Sequence, residues 1–202
     1  GVLDWFVFRA NVVGDSLKRI HDSVHTETNH RSGFITDTHN STHALFVGHN
    51  WKDLIDGGSD ALHPLSWCAY QHISAVAAWA NQLCEWVSGL SEETALNVVM
   101  RFFGWDRLGL PDKRIKDLRI GISSKEHGIY DAANKDGFYG YFNPGLTIKL
   151  MKHEWSRMSV INRGRIPAHP VVKGYEWPEN VCRELMDFAD ELGLTGYIFL
   201  KN

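Results

Sequence analysis

The sequence is poor in cysteine and proline, carries no excess of positive charge and contains no long apolar run. Its 3 cysteines, Cys68, Cys84 and Cys182, form no Cys-x-x-Cys pair. That excludes a disulfide scaffold and a cysteine-rich zinc finger and leaves buried thiols as the ordinary reading. Three unpaired thiols also favour a reducing compartment. Lys and Arg number 21 against 24 Asp and Glu, a formal net charge of -3. Such a balance gives no electrostatic footprint for nucleic acid or for an anionic membrane. No stretch reaches the ~18 apolar residues of a membrane span. A P-loop and a dinucleotide-binding glycine fingerprint are both missing.

What remains is the composition of a folded domain, 44% hydrophobic and 22% charged, which rules out a disordered chain. No repeat, low-complexity tract or Gly/Ser/Pro linker interrupts it, so one compact domain over residues 1–202 is expected. Two residue types are abundant: 11 His and 8 Trp. Imidazole titrates near neutral pH and is the commonest metal ligand. Indole serves cores, interfaces and flat ligands alike.

Periodicity predicts a mixed α+β fold, with mixed or antiparallel sheets, two central helices and a C-terminal helix–strand unit. Trp5 to Val13, aromatic and β-branched, reads as a strand broken by Gly14-Asp15. Ser16 to Thr26 reads as a helix. Gly33 to Asp37 and His43 to Val47 read as short strands, and His63-Pro64 as the start of a long helix running to Val87. Ser91 caps a second helix that stops at Gly104. The third quarter reads as strands: Leu118 to Ser123, His127 to Tyr130, Phe138 to Phe142, Leu146 to Met151 and Trp155 to Ile161. Pro178 opens a last helix over Glu179 to Leu192, Gly193 ends it, and Thr195 to Leu200 closes the chain as a strand.

The densest polar cluster runs from Thr28 to His49 and holds His30, Asp37, His39, His43 and His49. A carboxylate at a strand end, with imidazoles on the adjoining turn and strand, has the right donors to converge on one cation. Neutral imidazole and carboxylate suit zinc when three of them meet and one position stays open. Zinc lowers the pKa of a water towards neutrality, which is why such sites hydrolyse amides and esters. Glu27 is the nearest carboxylate in sequence able to move the proton.

The stretch Thr28-Asn29-His30-Arg31-Ser32-Gly33-Phe34-Ile35-Thr36-Asp37 resembles a known motif. It is the Ser/Thr-x-His-x-x-Gly-x-Ala-x-Asp pattern of the zinc D-alanyl-D-alanine carboxypeptidase and dipeptidase family. The resemblance implies a zinc peptidase with His30 and Asp37 as metal ligands. Ile35 stands where that family has a small residue, and the family's later Glu-x-x-His is missing.

A second constellation is thiol-based. Cys68 lies at the start of the expected long helix, whose N-terminus lowers a thiol pKa, and His127 lies on a later expected strand. That order resembles the papain-like hydrolases and implies Cys68 as nucleophile and His127 as base, with Asn134 or Asp136 to orient it. A third reading is a Trp-rich binding or assembly module without catalysis. The leading expectation is a zinc hydrolase of a small-molecule or peptide substrate. Asn40-Ser41-Thr42 also spells a glycosylation sequon.

Overall fold

The computed structural model describes residues 1–65, 69–108, 144–172 and 177–199. The expected strands at Leu118–Ser123, His127–Tyr130 and Phe138–Phe142 lie outside them, as do Cys68, His127, Asn134 and Asp136. The chain divides into two compact units, Gly1–Trp67 with Met151–Asn202, and Cys68–Leu150. Helix and strand are mixed, as the α+β expectation has it. The described strand pairs are parallel, where mixed or antiparallel sheets were expected.

The first unit opens with one long helix, α1 (Val2–Thr28). The expected strand over Trp5 to Val13 is therefore its first turns. Phe6, Ala10, Val13, Gly14, Leu17, His21 and Val24 recur every three or four residues and turn inward. The aromatic and β-branched residues that mimic a strand, Trp5, Val7, Phe8 and Val12, fall on the exposed outer face. Gly14 does not break the helix, because it serves packing. A Cβ there would lie 3.2 Å from Asp53 Cβ, so its absence lets a neighbouring helix approach closely.

Strand β1 (Ile35–His39) follows, then a 3-10 turn (Ala44–Val47), α2 (Trp51–Asp56) and β2 (Ala61–Leu65). The turn replaces the strand expected at His43 to Val47. Buried Asn40 causes it: its Oδ1 accepts from His43 N at 3.0 Å, and its carbonyl accepts from Ala44 N at 2.9 Å. The sequon asparagine thus faces inward. His63, Pro64 and Leu65 end β2 and do not start a helix, since the residue before a proline is driven to extended backbone.

β1 and β2 pair in register, with Asp37 opposite His63. A parallel bridge joins Leu62 to Ala168. β3 (Val171–Val172) then pairs with β4 (Ile198–Phe199).

The strands expected at Leu146 to Met151 and Trp155 to Ile161 belong to a helix, α5 (Pro144–Asn162). In its first-unit part, Met151, Glu154, Trp155, Met158 and Asn162 are buried at helical spacing, not alternately. α6 (Glu179–Glu191) starts after Pro178 and buries Val181, Leu185 and Ala189, as its periodicity predicts. Gly193 follows it at φ 69°, where glycine is favoured. β4 is shorter than the strand expected over Thr195 to Leu200.

In the second unit α3 (Ala69–Trp86) and α4 (Glu92–Phe103) pack together. The long helix starts later than expected because β2 takes its first residues. Ser91 accepts from Thr94 N at 3.2 Å as the N-cap of α4, and Gly104 closes that helix at φ 74°. Trp79 stacks on Phe102 with ring centroids 6.0 Å apart. Cys84 and Cys182 are free thiols, both half-buried.

Candidate metal centre

His21 and His25 stand one turn apart on α1, and Asp60 immediately precedes β2. One nitrogen of each ring and one Asp60 oxygen lie within 4.8 Å of one another. Among the described residues this is the one group of three or more His, Cys, Asp or Glu so gathered. His25 Nε2 lies 3.0 Å from Asp60 Oδ2. Donors about 2.0–2.2 Å from a tetrahedral zinc are about 3.3 Å apart, close to the separation of this one pair.

The backbone fixes Asp60 from outside the cluster. Its Oδ2 accepts from Phe34 N at 2.6 Å, and its own N donates to Phe34 O at 2.9 Å. The Phe34 N–H is the main reason the Asp60 carboxyl sits below its usual range, and His25 adds to it. A carboxylate held ionised is what a cation needs.

The imidazoles are oriented by neighbours as well. His21 Nδ1 is 3.0 Å from Asp22 Oδ1, and His25 Nδ1 is 3.0 Å from His30 Nδ1. With Nδ1 so engaged, His25 turns Nε2 to Asp60 and His21 has Nε2 left for a ligand role, the arrangement in which an outer partner sets the tautomer of a ligand. Gly58, at φ +100°, forms the floor under His21. A Cβ there would sit 2.6 Å from the ring's Cε1. Beyond α1, Asn29 and His30 adopt left-handed backbone at φ 49° and 57°. For His30 this costs on the order of 1 kcal/mol, and it swings the ring against His25, with centroids 4.9 Å apart.

The five ligands expected from sequence are divided over four places. His30 joins the centre as the outer partner of His25. Asp37 faces His63, 3.4 Å from its Nδ1. His39 and His49 lie together, with His49 Nδ1 accepting from His39 N at 3.1 Å. His43 turns onto Asn40, Nδ1 to Oδ1 at 2.9 Å. No three of them gather at one point among the described residues. Glu27 is exposed on α1, two residues past His25 and so about 200° round the helix from it. Cys68 and His127 fall outside the described residues. His21, His25 and Asp60 were not singled out in the sequence, although His-x-x-x-His inside an expected helix is a one-face pair.

Two imidazoles away from the centre predict an acid-sensitive fold. Burial pushes His49 and His153 below the usual histidine pKa of 6.5; the charge of His39 adds to the first, while Glu154 opposes the second. Above the unfolded value neither state holds the proton and the rings add nothing. As pH falls through about 6.5 the unfolded chain binds protons first, so stability drops until the lower folded values are passed. Melting temperature measured from pH 7.5 to 5 should therefore fall. It should fall less in His153→Gln.

No protein-family model, curated protein or solved structure matches the chain.

Proposed function

We propose that this chain is a metal-dependent hydrolase of amide or ester bonds, holding zinc on His21, His25 and Asp60. The convergence of those three side chains within 4.8 Å carries the reading. Two imidazoles and one carboxylate are the donor set of many zinc hydrolases, leaving one position for water or substrate. A zinc ion there would polarise a scissile carbonyl and ease the deprotonation of water. The residues of the chain supply the rest. Asp60 brings charge already fixed by Phe34 N–H. Asp22 and His30 set the tautomers of His21 and His25, and Gly58 leaves room for the His21 ring. Peptides and small amides or esters are the substrate class to test.

The purified protein should bind about one equivalent of zinc in a calorimetric titration. Zinc at 100 times Kd should add about 2.7 kcal/mol to its stability. Asp60→Asn and Gly58→Ala should each weaken binding at least tenfold. The first removes the charge and the second pushes His21 out of place. Chelation should abolish cleavage of a chromogenic peptide amide, and zinc should restore it. Zinc affinity unchanged in both variants sinks the site; tight zinc binding without chelator-sensitive hydrolysis sinks the enzyme and keeps the site.

A further inference from the structure

The strand register builds a second constellation on which the zinc reading does not depend. Asp37 on β1 is paired with His63 on β2. Leu62 bridges to Ala168, and His169 N donates to Leu62 O at 3.0 Å, so His169 stands beside His63. One row thus crosses three neighbouring segments: Asp37, His63, His169. The side chains meet in that order. Asp37 Oδ1 is 3.4 Å from His63 Nδ1, and His63 Nε2 is 3.1 Å from His169 Nδ1.

We propose that Asp37, His63 and His169 form an acid–base relay, with His169 Nε2 as its working end, acting on neutral ester substrates. Two imidazole nitrogens 3.1 Å apart share one proton, so one donates and the other accepts. With Asp37 favouring the Nδ1–H form of His63, His63 Nε2 is the acceptor and His169 Nδ1–H the donor. His169 Nε2 then carries the lone pair, and no described side chain bonds to it. Gly196 clears the space beside that ring. A Cβ at 196 would lie 3.2 Å from His169 Cδ2. Burial, with the charge of His63, holds His169 below the ordinary histidine pKa, which keeps its lone pair free near neutral pH.

The steps balance. His169 Nε2 takes a proton from water while the oxygen bonds to the ester carbonyl carbon. His169 Nδ1–H passes to His63 Nε2, and the positive charge comes to rest beside Asp37. Collapse of the adduct breaks the ester C–O bond, and the proton returns along the same path to the departing alcohol. His169 is the catalytic residue; His63 and Asp37 are positioning residues. No cationic side chain enters the row, which is why a neutral ester fits it better than an anionic one.

The test uses the full chain with a neutral aryl acetate, beside histidine 15N spectroscopy. His169→Gln should lower kcat/KM at least 100-fold at unchanged melting temperature, and Asp37→Asn about 10-fold. Chelator should leave the His169-dependent share of the wild-type rate intact. The spectra should show Nδ1–H tautomers at His63 and His169, with that of His63 lost in Asp37→Asn. Wild-type turnover no greater than that of His169→Gln overturns the relay, as does an Nε2–H tautomer at His169. Turnover that chelator abolishes and His169→Gln retains also overturns it, while leaving the zinc reading in place.

Discussion

Glu154→Ala should cost the protein about 3–5 kcal/mol, the range for removing one partner of a buried charged network. Glu154 is a carboxylate with only 1% of its surface exposed. It accepts from Ser41 Oγ at 2.5 Å, from Thr42 N at 3.0 Å and from the Thr42 hydroxyl. These donors belong to the turn that leaves β1, so Glu154 ties α5 to the end of that strand. Arg157 adds a bond to Thr42 Oγ1 at 3.2 Å. Alanine removes the acceptor and leaves a buried backbone N–H and two hydroxyls with less to bond. Glu154→Gln keeps the shape and one acceptor oxygen but turns an amide NH2 against donors, so its loss should be about half as large. Urea denaturation of the three proteins checks this order. Alanine and glutamine losses that are equal would show that charge is not what holds the turn.

Leu62→Ala should be the second severe substitution, at about 2–5 kcal/mol. Leu62 is fully buried, paired with Thr36 on one side and bridged to Ala168 on the other. Its N–H donates to Pro167 O at 2.9 Å while its carbonyl accepts from His169 N. The backbone pairing survives the substitution, but the cavity lies where β2 meets the chain around 168. Leu62→Met, with similar volume, should lose less than about 1.5 kcal/mol. Thermal melts of both variants decide it. A loss under 1 kcal/mol in the alanine variant would mean the site collapses around the gap.

Much of the helical architecture was legible in the sequence, and the reasons are local. Ser91, Gly104, Pro178 and Gly193 act through the backbone within a turn of where they stand, so the helices they bound were read correctly. Trp5 to Val13 and Trp155 to Ile161 were misread because β-branched and aromatic residues fit either period. Ala10, and Glu154 with Met158, settle the matter only once a partner surface shows which face is buried. The parallel pairing of β1 and β2 could not be read, since no short turn announces it. The His21–His25–Asp60 cluster was half visible: His21 and His25 share a face of any helix through them. Asp60 joins them through a tertiary contact with Phe34, and nothing in their spacing points to it. The row of Asp37, His63 and His169 is wholly a matter of register.

That register has a consequence for how the protein is made. His63 and His169 touch across 106 residues of chain. During synthesis the first two strands emerge long before their third neighbour exists. Their open edge must wait on the ribosome while the intervening segment is translated, and chaperone binding over that interval is what would keep nascent chains from pairing with one another.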